Sequence, residues 1–181
     1  RSRAMKKFNL EEDDLPYFRT LHSLAFKSLG LKKNQVMQKR HYEDLGRKEH
    51  LFLDYNDYDE EETGLFTTKS DYLRIINLAK LRNISIDEQY NLKEHNQDVE
   101  YETLIHLSNR LTDYKKEYNL IDYNDMILKF IKLGKSPNFD VVFIDEAQDL
   151  SLMQWDMVKS ISDKTVDSYI AGDDDQAVFR W

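Results

Sequence analysis

The feature that most constrains this chain is a short apolar run that stops on two acids. Val141, Val142, Phe143 and Ile144 are followed at once by Asp145 and Glu146. A continuous apolar run, three of its four residues β-branched, predicts a strand buried on both faces of a parallel sheet. A second strand is predicted over Val166 to Ala171, and it runs into Gly172-Asp173-Asp174-Asp175-Gln176. Between the two, Ser151 and Gln154 form a capping box that opens a helix with Leu152, Trp155, Val158 and Ile161 inside. Strand, helix and strand with short links make a βαβ unit. Both acidic endings then lie on one carboxyl edge, where open α/β sheets bind their ligands.

Two acidic loops at one edge repel each other unless a cation sits nearby, and oxygen ligands of this kind suit Mg²⁺. An apolar strand ending in Asp-Glu is also the Walker B arrangement. In it the Asp holds Mg²⁺ on a nucleotide phosphate, and the adjacent Glu is placed to orient or deprotonate a water. A bare Asp-Glu reads equally well as an exposed acidic turn, because the motif is short.

The rest of the chain is mostly helical. Residues 1 to 8 read as the end of a helix. A second helix starts near Thr20, carries Leu21, Leu24, Ala25 and Leu29 on one face, and stops by Gly30. Three further helices are predicted over Asp71–Arg82, Val99–Tyr118 and Asp122–Leu133. Their stripes include Tyr72, Ile75, Ile76 and Ala79 in the first, and Leu104, Leu107, Leu111 and Tyr114 in the second. Ser70 or Asp71 is the expected cap of the first.

With 40% hydrophobic residues among 181, a packed core is within reach. The net charge of −8 disfavours broad wrapping of duplex DNA and leaves room only for a local grip on a strand. The basic stretch from Lys32 to Lys48 and the acidic one from Asp54 to Glu62 read as solvated surfaces. There is no cysteine, hence no disulfide and no thiolate metal site, which fits an intracellular, cytoplasmic setting. No apolar run approaches the ~20 residues of a membrane span.

Two motifs fail on inspection. Gly134-Lys135-Ser136 ends like a phosphate-binding loop, but Lys129 stands where the first glycine belongs, and the triplet follows a helix. Asp54 to Leu65 is no EF-hand, since Asp59 occupies the glycine position and Leu65 that of the bidentate Glu.

The longer strings are more specific. Phe143-Ile-Asp-Glu-Ala-Gln-Asp149 and Ala171-Gly-Asp-Asp-Asp-Gln-Ala-Val-Phe-Arg-Trp181 resemble motifs II and III of UvrD/Rep-like superfamily 1 DNA helicases. Ala177, Val178 and Phe179 stand where that family has Ser, Ile and Tyr. Upstream, Arg19-Thr-Leu-His-Ser-Leu-Ala-Phe26 resembles the family's Thr-Phe-His-Ser segment after motif Ia, and Arg1 to Met5 the end of motif Ia. Asp122-Tyr-Asn-Asp-Met126 resembles the segment that precedes motif II. Five blocks fall in the family's order.

The resemblance implies an α/β fold: an incomplete RecA-like P-loop NTPase domain with a parallel sheet and a mostly helical insertion. Residues 1–29 and 117–181 would form the two parts of the core, and 30–116 the insertion. The implied activity is ATP-dependent translocation on single-stranded DNA, 3′ to 5′, with unwinding at duplex junctions, in repair or replication. ATP and Mg²⁺ are the implied cofactors. Asp145 would position the metal, Glu146 would activate water, and Gln176 would sense the γ-phosphate. Thr20 and His22 would touch the strand, and Trp181 and Phe179 would stack on its bases. Trp181 reads otherwise as a core tryptophan, and His22 as a structural histidine. Gln148 and Asp149 are expected to organise the site. The Walker A segment and the second RecA-like domain are expected in the same polypeptide beyond this chain, which alone should be inactive. The alternatives are the motor of a helicase–nuclease, a non-catalytic DNA-binding relic, and an unrelated Mg²⁺-dependent hydrolase.

Overall fold

A computed structural model describes residues 6, 7, 9, 11–55, 68–173 and 175. The expected motif Ia end at Arg1–Met5, and Gln176, Phe179 and Trp181, lie outside them. Helices α1 (Leu21–Ser28) and α2 (Lys39–Lys48) come first. They are followed by α3 (Asp71–Leu81), α4 (Ile86–Asn91), α5 (Tyr101–Glu117) and α6 (Tyr123–Leu133). Strand β1 (Phe139–Ile144), helix α7 (Leu152–Ser162) and strand β2 (Thr165–Ile170) complete the order. The strands pair in parallel, with Val142 opposite Ser168 and Ile144 opposite Ile170.

Local signals explain most boundaries. Thr20, Ser70, Asp122 and Ser151 each cap the helix that follows by accepting a backbone N–H three residues on. Ser151 and Gln154 close the expected reciprocal box. Gly134, at φ +57°, ends α6 in the left-handed region, and its carbonyl accepts from Lys164 Nζ at 2.8 Å. The Gly-Lys-Ser triplet is therefore a helix terminus. Asp54 is equally local in purpose: its Oδ1 accepts from Thr68 Oγ1 and from the amides of Lys69 and Ser70, building the turn into α3.

Buried side chains fall into two clusters. One gathers Met37, Tyr42, Leu45, Leu73, Ile76, Leu104, Leu107 and Leu111 from α2, α3, α5 and their links. The other gathers Ala25 of α1, Met126, Ile127 and Phe130 of α6, and Met153, Met157 and Ile161 of α7, with Phe139 and Val142 packed against it. The inward face of α7 is thus Met153, Met157, Val158 and Ile161, whereas Leu152 is 52% exposed. Val158 and Ile161 face inward as predicted, and Met153 and Met157 complete the face in place of Leu152 and the half-buried Trp155.

The expectation that β1 is buried on both faces is corrected here. Val141 is 43% and Phe143 76% exposed, with Phe143 stacked on an exposed Tyr169 at 5.1 Å. Among the described residues the sheet has two strands, and α6 and α7 cover one face. The apolar run carries the composition of a two-sided strand, but among the described residues only one side is covered by helices. No helix among the described residues is long and apolar enough to cross a membrane.

Candidate functional site

The carboxyl ends of β1 and β2 meet through backbone bonds: Ala171 N donates to Ile144 O at 2.8 Å, and Ala147 N to Ala171 O at 3.0 Å. Asp145 and Glu146 therefore leave β1 beside the Gly172-Asp173 loop that leaves β2, as the two apolar runs predicted. Both carboxylates are exposed. Glu146 adopts φ 53°, ψ 41°, a left-handed conformation that costs a residue with a Cβ about 1–2 kcal/mol. Strain of this kind persists where the surroundings over-determine it, and it gathers at functional sites. Here it turns the chain into a 3₁₀ turn over Ala147–Asp149, closed by Asp149 N donating to Glu146 O at 3.1 Å.

Gln148 joins the two loops. Its Nε2 donates to Glu146 Oε2 at 2.7 Å, and its Oε1 accepts from Asp173 N at 3.0 Å. Gly172 makes this approach possible, since a Cβ there would meet Gln148 Oε1 at 2.8 Å. Beside the junction, Ala147, Gln148, Trp155, Ile170 and Gly172 line an open cleft of about 450 Å³. Asp175 N donates to Asp173 Oδ1 at 3.1 Å.

No three of His, Asp and Glu converge on a metal-sized space among the described residues. That donor set still fits Mg²⁺, which keeps several waters and is held by one or two carboxylates plus substrate phosphates. Asp145 is the donor offered, and the metal would neutralise phosphate charge there.

The Thr-Leu-His-Ser segment sits at the start of α1. Thr20 is exposed, and its hydroxyl accepts from Ser23 N at 3.2 Å. His22 is 7% exposed and packs edge-on against Tyr123 at 5.6 Å, so its ring is not open to a strand in this conformation. Its Nε2 has no hydrogen-bond partner among the described residues. Burial pushes the imidazole pKa down to about 4. Between that value and the ordinary 6.5 the unfolded chain binds the extra proton. Stability should therefore fall as pH drops through this window, by roughly 3 kcal/mol at its lower end. Unfolding free energies across pH 4 to 7 would show the slope flattened in His22→Leu; parallel curves for the two proteins would remove His22 as its source.

The Asp122–Met126 segment has a use that the sequence did not reveal. Asp122 is 5% exposed, and its Oδ2 accepts from Lys80 Nζ at 3.0 Å and Lys115 Nζ at 2.8 Å. Asp125 pairs with the same two lysines. Burial opposes charge on Asp122, but the two ammonium groups outweigh it and hold the carboxyl well below the usual carboxylate range. Lys80 belongs to α3 and Lys115 to α5, so four charges bind α6 to the helices before it. Asn124 Nδ2 adds a bond to Asn77 Oδ1 at 2.9 Å. Separations of 42 and 45 residues between Lys80 and its partners left no local signal to find.

Comparison with known proteins finds DNA helicases. A probable DNA helicase II homolog of Mycoplasma genitalium is 29% identical over 119 residues, covering 56% of this chain and 17% of that protein. The ATP-dependent DNA helicase Rep of Buchnera aphidicola is 29% identical over 79 residues, covering 39% and 12%. The ATP-dependent DNA helicase PcrA of Bacillus subtilis is 29% identical over 87 residues, covering 41% and 12%. The matched region thus spans less than a fifth of the length of these relatives. No solved structure matches the chain significantly. The family model for the UvrD/REP helicase N-terminal domain matches residues 1–181, the whole of the sequence, and the chain belongs to that family.

Proposed function

We propose that this chain is part of an ATP-driven motor that translocates on single-stranded DNA and separates duplex at junctions. The observation that carries this reading is the pair of acidic loops meeting at one carboxyl edge, in a chain that matches a helicase family end to end. In this reading 1–29 and 117–181 build an incomplete RecA-like core, and 30–116 form an accessory helical insertion. Asp145 holds Mg²⁺ on the nucleotide. Glu146 accepts the proton of the attacking water at its carboxylate. Gln176 senses the γ-phosphate and passes its state to the strand. Trp181 and Phe179 stack on bases, a contact that tolerates any sequence, as a translocating motor must. Thr20, exposed at the start of α1, touches the strand's backbone, while His22 supports that turn from beneath. The protein works where its DNA and ATP are, inside the cell.

Steady-state ATP hydrolysis by the full-length protein, with and without oligo-dT, tests the reading. Turnover should rise with the oligonucleotide, and turnover indifferent to DNA would overturn it. Trp181→Ala should weaken binding of homopolymeric single strands by about 1–3 kcal/mol, with little dependence on base. Fluorescence titration measures this, and an unchanged affinity would return Trp181 to the core.

A further inference from the structure

We propose that Gln148 is a positioning residue that couples Glu146 to the Gly172-Asp173 loop. The inference rests on the reading of Glu146 as the water-activating base, and it adds how that group is aimed. A carboxylate on a left-handed residue at the end of a strand is exposed and has several rotamers open to it. One hydrogen bond, from Gln148 Nε2 at 2.7 Å, selects among them. The same amide has a second end. Its Oε1 accepts the Asp173 amide at 3.0 Å, so a shift of the β2 loop moves the amide plane, and the amide plane moves the carboxylate. The amide is planar, so its NH₂ and its carbonyl turn together and cannot follow their two partners independently.

Gly172 is the matching part. A Cβ there would lie 2.8 Å from Gln148 Oε1 and 3.2 Å from Gln148 N. The glycine leaves room for the amide to lie flat between the loops. The backbone bonds across the strand ends, from Ala171 N and from Ala147 N, hold both loops near it.

The test compares full-length wild type, Gln148→Met, Gly172→Ala, the double variant and Glu146→Gln in steady-state ATP hydrolysis. Gln148→Met keeps the length of the side chain and removes both hydrogen bonds. It should lower kcat in the presence of oligo-dT on the order of tenfold, with the KM for ATP unchanged. Turnover without DNA should fall much less, because the broken element is the link between loops. Gly172→Ala should reproduce the loss. The double variant should be no worse than either single one, since both changes break the same bridge. Equal losses with and without DNA, or additive losses in the double variant, would reduce Gln148 to a structural residue and overturn the proposal. So would full activity in Gln148→Met while Glu146→Gln is dead. If Glu146→Gln itself turns over normally, the reading of Glu146 as the base fails instead, and the coupling has nothing to act on.

Discussion

Glu146→Gln in the full-length protein should lose ATP turnover by roughly 10²–10⁴-fold while the KM for ATP stays within about twofold. The amide has the shape of the carboxylate, and its Oε1 can still accept from Gln148 Nε2, so the turn at Ala147–Asp149 should survive. Only the ability to take a proton is removed. Normal steady-state hydrolysis in this variant would take the base away from Glu146. The 181-residue chain by itself should show no turnover even with Glu146 intact. Phosphoryl transfer depends on cradling and neutralising the phosphates, and this sequence contains no Gly-x-x-x-x-Gly-Lys-Ser/Thr loop. Hydrolysis by the chain alone that disappears in Glu146→Gln would show a self-sufficient site.

The second large effect concerns stability. Asp122→Ala should destabilise the packing of α6 against α3 and α5 by about 3–5 kcal/mol, because two lysines are left facing one carboxylate in a largely buried space. Loss of the cap on α6 contributes about 1 kcal/mol of this. Hydrogen exchange of α5 and α6 in the full-length protein reads the change as earlier local opening. Pairing the change with a second one separates cap from charge: Asp122→Asn keeps a capping oxygen but removes the charge, and Lys115→Met then removes a cation left in excess. The double variant should recover part of what Asp122→Asn loses. Purely additive losses would mean that the four charges do not act as a network. The sign of the pH dependence follows from the depressed Asp122 carboxyl. Its stabilisation is present above the ordinary carboxylate range and is lost only as the pH falls below it. That window lies under the one set by His22, so the two contributions appear at different pH.

Much of this protein is legible without coordinates. Capping residues, helix stripes and the two apolar runs are local patterns, and local chemistry suffices to place them. Thr20, Ser70, Asp122 and Ser151 open their helices because a short polar side chain satisfies an orphan N–H wherever it meets one. The acidic endings of β1 and β2 had to share an edge once the strands were parallel. Three things needed the tertiary structure. The exposure of Val141 and Phe143 depends on which faces have partners, and composition carries no record of partners. The burial of His22 depends on where Tyr123, a hundred residues away, comes to rest. The pairing of Lys80 and Lys115 with Asp122 and Asp125 depends on three helices meeting. Contacts of this kind form between residues far apart in the chain, where no sequence period links them, and only the packed fold decides which of many exposed-looking charges are drawn inside.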